Sequence, residues 1–98
     1  MWVETACEAL SKGKCLELRY HGMVRVVEVH AVGASSDGQD LMRVWQVLGG
    51  SRSGGATGWK LLRLADTRSP LVTQYNSFAP REGYVRGDPA LATIYCQL

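Results

Sequence analysis

The sequence predicts a small, mostly β barrel with one N-terminal α-helix. Helical spacing of apolar residues is confined to the first dozen positions. From residue 15 onward apolar and polar residues alternate with period two in successive short stretches, and glycine-containing turns separate them. With 98 residues, 46% of them hydrophobic, the chain has enough material for one core. We therefore expect a single domain over residues 1–98.

The N-terminal helix is predicted at about residues 4–12. Four apolar side chains recur there at helical spacing: Val3, Ala6, Cys7 and Leu10. Glu4 and Glu8 carry negative charge toward the N-terminal end, and Gly13 is placed to end the helix.

Strands are predicted in the rest of the chain from alternation and from turn residues. His21-Gly22 indicates a tight turn between the first two strands. Residues 33–39 are predicted to be a loop, with Asp37-Gly38 as its turn signal. Residues 66–70 are predicted to be a turn, and 76–88 a polar segment after which Asp88-Pro89 opens a single helical turn. The predicted strands are 15–20, 24–32, 40–48, 59–64, 71–75 and 94–98. In the third of them one face is expected to carry Arg43, Trp45 and Val47, and the other Met42, Val44, Gln46 and Leu48.

The pattern of the second predicted strand favours a barrel over an open sandwich. Neither of its faces is cleanly apolar, because Glu28 and His30 share a face with Val24 and Val26, whereas Arg25 shares the other with three apolar residues. In a barrel one end of each face lies in the core while the other end lines a rim.

The stretch 41–64 carries basic residues and no acidic ones, which is typical of an anion-binding surface. Its cations are Arg43, Arg52, Lys60 and Arg63. Between its two strands, residues 49–58 include five glycines and few large side chains, so backbone amides there are open to a ligand. A solvated strand face and a simple hairpin connection are the alternatives.

Overall charge narrows the class of ligand. The net charge is only +2, which argues against a protein that holds duplex DNA mainly through its phosphates. Eight of the eleven basic residues are arginine, whose planar fork matches phosphate or carboxylate. Codon bias in a GC-rich genome explains the same enrichment, and the sequence leaves both explanations open.

Cysteine usage suggests a reducing compartment. Cys7, Cys15 and Cys96 are odd in number and far apart, so we expect buried free thiols rather than a disulfide or a metal site. Residues 1–10 lack the basic start of a signal peptide, and no apolar run approaches membrane length. The expectation is a soluble, cytoplasmic protein without cofactor or membrane contact.

The order of several short motifs resembles the WYL domain, and more closely its short bacterial stand-alone versions. The motifs are LELRYHG, RVVEVH, LMRVWQV, GGSRSG, GWKLLRL and a late R-x-GY, and the resemblance covers roughly residues 6–84. It implies an Sm-like or SH3-like barrel. It also implies a ligand-sensing or nucleic-acid-contacting module of transcriptional regulators, with nucleotide-like or single-stranded nucleic acid ligands.

By position, the resemblance places a basic and polar pocket on Tyr20, Arg25, His30, Arg43, Gln46, Arg52 and Arg63. The sequence departs from the family's pattern at two places. The tripeptide that names the family is replaced by Asp40-Leu41-Met42, which removes its aromatic contacts, and Val29 stands where a proline usually precedes the histidine.

Most of these residues also have a structural interpretation. His30 either donates to a bound anion or closes a buried hydrogen bond to Glu28 or to a backbone group. Trp45 and Trp59 either stack a base or belong to the core.

Function is therefore expected to be non-enzymatic binding of an anionic nucleotide-like molecule or a short single-stranded nucleic acid, in a regulatory or sequestering role. A protein-interaction or oligomerisation module, including a homo-oligomer, is the alternative. A small nuclease using His21, His30 and Lys60 is a third hypothesis, weakened because nothing in the sequence brings these residues together.

Overall fold

The computed structural model describes residues 2–50 and 57–98. It confirms a mostly β fold with one N-terminal helix. A 3-10 turn at Leu64–Asp66 joins the fourth and fifth strands. The remaining elements, in chain order, are α1 Val3–Lys12, β1 Lys14–Tyr20, β2 Met23–Ala34, β3 Asp40–Gly49, β4 Gly58–Arg63, β5 Thr67–Asn76 and β6 Thr93–Gln97.

The six strands form one antiparallel sheet, in the order β4-β3-β2-β1-β5, with β6 also paired to β2. Strand β2 has 12 residues, so it pairs with β3 along most of its length while β1 and β6 share its other side. The domain measures 28 × 25 × 24 Å. These nearly equal dimensions show that the sheet curls around its core, as in a small barrel-like fold.

Both faces of β2 are buried, which explains its mixed pattern. The inner face, which includes Val27 and Val29, packs with the main core formed by β1, β3, β4 and α1. The outer face carries Glu28 and His30, and residues 77–92, here called the C-terminal strap, lie across it. Buried polar residues on the outer face are therefore matched by partners from the strap.

Two β-bulges between β2 and β3 interrupt the alternation that the sequence predicts. One register shift between Val29 and Ala31 moves Ala31 from the main core into a small second cluster with Leu41 and Leu91. The other lies next to Leu48, which was expected beside Met42 and instead is 65% exposed. A bulge adds a residue to one strand and so reverses the faces beyond it.

Helix α1 closes the inner core. Ala6 and Ala9 are buried against the strands, and Gly13 ends the helix with a φ of 65°. Gly13 suits this position because a left-handed residue at a helix end strains any side chain. Trp2 donates its indole N–H to the carbonyl of Thr67, which fixes the start of the helix on β5.

The expectation of three free thiols is wrong for two of them. Cys7 on α1 and Cys96 on β6 form a disulfide with a Cα–Cα distance of 6.0 Å, and Cys15 alone remains a buried free thiol. The two residues are 89 positions apart and meet because β6 returns beside β2 beneath the helix. Cysteine spacing alone does not carry this information.

The turn expected at residues 66–70 is also wrong, because β5 begins at Thr67 and pairs with β1. Ser69 has a φ of 50° and Pro70 lacks an N–H, both of which are turn signals. They are tolerated in β5 because it is an edge strand with a register shift at this point.

Within residues 2–50 and 57–98, no helix is long and apolar enough to cross a membrane.

Candidate functional site

The structure divides the predicted pocket residues between the two faces of the sheet. Arg25 pairs with Leu18 and Gly49 and points to the inner face, whereas Arg43 pairs with Ala31 on the outer face. Six positions along β2 separate the two pairing sites, or about 20 Å of strand. The arginines on β2 and β3 therefore do not converge on a single ligand.

Tyr20, Arg25 and Gln46 do come together, at one end of the inner face. The guanidinium carbon of Arg25 lies 4.9 Å from the centre of the Tyr20 ring. Nη1 of Arg25 donates to Oε1 of Gln46 at 3.3 Å. The three residues, here called the Arg25 cluster, join β1, β2 and β3 at the edge of the core.

Arg25 is the most unusual member because its charge has no acidic partner among the described residues. Its side chain is almost fully buried, with the residue only 3% exposed, and its Nε–H has no acceptor. Burial lowers the pKa of the Arg25 guanidinium below its ordinary value. An unpaired buried cation is costly to a fold.

The Arg25 cluster lies beside Gly49 and Gly50. Gly49 lies opposite Arg25, and Gln46 donates its amide Nε2–H to the carbonyl of Gly50 at 3.0 Å. Gly49 must be glycine, since a Cβ there would lie 2.7 Å from Cα of Arg25. Arg52 and the serines of the SRSG motif, predicted to contribute to the anion site, lie outside the described residues.

His30 is fully buried on the outer face with both ring nitrogens engaged. The backbone N–H of Arg81 donates to Nε2 at 2.9 Å, so Nδ1 carries the proton and donates to the carbonyl of Glu28 at 3.0 Å. Burial is the main cause of a pKa below the ordinary value of 6.5. This is the buried hydrogen bond to a backbone group that the sequence left as an alternative. It leaves no lone pair for proton transfer with His21 or Lys60.

Arg43 is held by an acid from the strap. Its Nε and Nη2 donate to the two carboxylate oxygens of Asp88 at 2.6 and 3.3 Å. The Arg43 hydrogen bond is the main cause that lowers the pKa of Asp88. The pair lies at a cavity of about 330 Å³, walled by Trp59 and Tyr84 and rimmed by residues of the strap.

The side chain of Arg63 lies at a different cavity from that of Arg43, although both residues are on the outer face. Its side chain is exposed and lines a separate cavity of about 430 Å³, together with Trp2, Asp40 and Asp66. Only its backbone reaches the Arg25 cluster, where the Arg63 N–H donates to the hydroxyl of Tyr20 at 3.0 Å.

Sequence reasoning missed the contacts that hold the strap on the sheet. Glu28 is fully buried and accepts two hydrogen bonds from Arg81 and one from the N–H of Phe78. Arg81 and Asp88 lie in a segment without hydrophobic period, where no local pattern indicates a partner. An acid on a strand otherwise rich in valine is the one signal, because such an acid needs a buried cation.

The tryptophans form part of a packed aromatic group. Trp45 and Trp59 meet edge to face at 5.4 Å, and His30 meets Trp59 at 4.6 Å. Trp59 also donates its indole N–H to the carbonyl of Glu82. Trp59 is thus a fixed wall of the cavity, while Trp45 serves as packing under the guanidinium of Arg81.

No group of three or more potential metal ligands occurs in the part of the chain that the structure describes. Compared with protein-family models, with curated proteins and with solved structures, the chain matches none.

Proposed function

We propose that this protein is a non-enzymatic module that binds an anionic nucleotide-like molecule, or the phosphate of a short single strand, at the Arg25 cluster. The observation that carries the proposal is the buried guanidinium of Arg25, which has no acidic partner among the described residues and an Nε–H without an acceptor. A bound oxyanion would supply both the missing charge and the missing acceptor.

Phosphate is an anion that suits these surroundings. Arginine forms forked hydrogen bonds to phosphate oxygens, and backbone amides of a glycine-rich loop add further donors. The cluster lies beside Gly49 and Gly50, where that loop begins. The buried histidine with both nitrogens engaged supports a binding role over a catalytic one.

The resemblance to the WYL domain supports the same proposal and extends it to transcription regulation. Tyr20, Arg25 and Gln46 are three of the positions that the resemblance assigns to a ligand pocket. In this role the module would act either as a sensor that reports to another protein or as a protein that sequesters its ligand.

Location is proposed as cytoplasmic for this role, and the disulfide bears on it directly. Reducing compartments keep thiols reduced, so a Cys7–Cys96 bond inside cells would contradict a cytoplasmic location. Acid quenching of intact cells, followed by alkylation of thiols in the denatured protein and mass spectrometry, distinguishes the two states. Three alkylated cysteines support the cytoplasm, and one supports an oxidising compartment.

The binding test uses Arg25→Met with Arg19→Met as its matched control. Methionine keeps much of the length of Arg25 and removes its charge; Arg19 is an exposed arginine on β1. Thermal unfolding is followed with inorganic phosphate, mononucleotides, cyclic dinucleotides and short oligonucleotides. A ligand at 100 times its dissociation constant should stabilise the unchanged protein and Arg19→Met by about 2.7 kcal/mol.

Arg25→Met should lose that stabilisation while remaining at least as stable as the unchanged protein without ligand, because it removes an unpaired buried charge. A purely structural Arg25 predicts the reverse: the variant would be less stable, and any ligand effect would persist. That second pattern would refute the proposal.

A protein-interaction module remains the second candidate, favoured by one observation. Leu71 and Tyr75 are 59% and 67% exposed on β5, which is an edge strand of the sheet. Edge strands offer unpaired backbone groups to another chain. Light scattering over a hundredfold concentration range would show a rising mass for a self-associating module, and Leu71→Lys should abolish the rise.

A further inference from the structure

The 330 Å³ cavity on the outer face is a second candidate site, separate from the Arg25 cluster. Trp59 comes from β4, Arg43 from β3, and Gly83, Tyr84 and Asp88 from the strap. Because Arg25 points to the inner face, the sheet itself stands between the two sites. The volume lies at the small end of the range for ligand cavities, about 300–1,000 Å³.

The aromatic walls are held in place by hydrogen bonds that point away from a ligand. Trp59 donates its indole N–H to the carbonyl of Glu82 at 3.2 Å, and the hydroxyl of Tyr84 donates to the carbonyl of Leu98 at 3.1 Å. Their polar atoms are therefore already satisfied. What remains for the cavity is ring surface, which suits a planar apolar group.

Gly83 brings the strap close to the indole. Its φ is 91°, and a Cβ at this position would lie 3.2 Å from Nε1 of Trp59. A larger residue would be strained and would press against the Trp59 ring. The cavity wall thus depends on a specific backbone shape in the strap.

The charged side chains at the cavity, Arg43 and Asp88, neutralise each other, but one hydrogen-bond donor remains available. Asp88 neutralises Arg43, and Oδ1 of Asp88 also accepts the N–H of Ala90 at 2.9 Å. Arg43 uses Nε and Nη2 for Asp88, and its Nη1 has no acceptor among the described residues. A ligand with one acceptor would complete its hydrogen bonds, while a free anion would meet an already neutralised arginine.

We infer that this cavity binds a neutral planar aromatic ring bearing a carbonyl acceptor, with the ring against Trp59 and Tyr84 and the acceptor on Arg43. Uncharged heterocycles and aromatic amides share this chemistry. The inference does not depend on anion binding at Arg25.

Benzamide is the probe, and the indole N–H signals of ¹⁵N-labelled protein are the readout. A saturable shift of the Trp59 signal is expected, with a dissociation constant of about 1–10 mM as suits so small a ligand. The Trp2 signal should not move, because Trp2 lines the other cavity. Cyclohexanecarboxamide lacks the aromatic ring and toluene lacks the acceptor, so each should bind at least about tenfold more weakly.

Val85→Phe and Val24→Phe form the matched pair of variants. Val85 lies on the rim of the cavity and is exposed, so a phenyl group there should fill the cavity without disturbing the core; Val24 is an exposed valine on β2. Val85→Phe should weaken benzamide binding at least about tenfold, and Val24→Phe should leave it unchanged. No Trp59 shift, equal binding of the three probes, or full binding by Val85→Phe would each overturn the inference.

Discussion

Nε of Arg43 lies 2.6 Å from Oδ2 of Asp88, across 45 positions of sequence. The contact joins the basic stretch of β3 to the C-terminal strap and neutralises an arginine that the sequence offered as a free cation. Arg81 and Glu28 form a second such pair at 2.6 Å. Both pairs fasten the strap over the outer face, so charge on this side of the molecule serves the fold.

Replacing Asp88 by asparagine should destabilise the protein. The carboxylate is almost fully buried and Arg43 is half-buried, so the variant leaves a cation without its partner. Hydrogen bonds to charged groups contribute about 1.5–3 kcal/mol, and we expect a loss of about that size in the free energy of unfolding by urea. Asp66→Asn, at a more exposed aspartate, should change it by less than about 0.5 kcal/mol. Equal effects of the two variants would show that the Arg43–Asp88 pair does not hold the strap.

Stability should rise with pH up to about 6.5 because of His30. The unfolded histidine has a pKa near 6.5 and the folded one a lower pKa, so the unfolded state binds more protons between these values. The stabilisation is complete above 6.5 and is lost as the pH falls through the folded pKa. The slope should be positive and no steeper than about 1.4 kcal/mol per pH unit, the value for one proton, as measured by urea unfolding at several pH values.

The matched variants for this slope are His30→Asn and His21→Asn. The first should remove the contribution and the second, in an exposed turn, should keep it. The same slope in His30→Asn as in the unchanged protein would assign the pH dependence to other groups.

Reducing the Cys7–Cys96 disulfide should lower the free energy of unfolding by about 4 kcal/mol. The bond closes a loop across a sequence separation of 89, and the entropy that a crosslink removes from the unfolded chain grows with loop length. Urea unfolding with and without a phosphine reductant measures the change. A Cys7→Ala/Cys96→Ala double variant should be as unstable as the reduced protein and indifferent to the reductant. A reductant effect in the double variant would locate the sensitivity elsewhere.

Gly49→Ala should be more destabilising than Gly58→Ala. Both glycines have a φ of 114°, so both substitutions incur a backbone strain of about 1–3 kcal/mol. A Cβ at Gly58 would meet no atom within 4 Å, whereas one at Gly49 would lie 2.3 Å from the carbonyl oxygen of Val24. Overpacking should add about 1–3 kcal/mol at Gly49 alone, as measured by thermal unfolding. Equal losses would show that β2 and β3 separate there without cost.

Most of the order of helix and strands along the chain was predictable because it rests on local signals. The helix at Val3–Lys12, the turn at His21-Gly22 and the strands β1 to β4 follow from period and turn residues within a few positions of each other. The faces of β3 were also predicted for Arg43 and Met42, since alternation is a property of each strand. Alternation failed beyond the two bulges, because one inserted residue has no signature in the pattern.

For the candidate sites, too, some features could be predicted from the sequence and others depend on the tertiary structure. The resemblance to the WYL domain assigned Tyr20, Arg25 and Gln46 to a pocket by position, and each of them is a polar or aromatic residue at an inward position of a strand. Their convergence depends on pairing of three strands, which tertiary structure alone decides. The cavity beside Arg43 depends equally on the strap, whose route has no period to predict it.

The sequence by itself therefore determined the fold class, the position of the N-terminal helix and the placement of arginines on the third and fourth strands. Tertiary structure decided which of the arginines has a counter-ion. Asp88 reaches Arg43, while no acid among the described residues reaches Arg25. The physical reason is that a charge's partner is set by distance in space, and in this barrel the decisive distances join residues up to 89 positions apart.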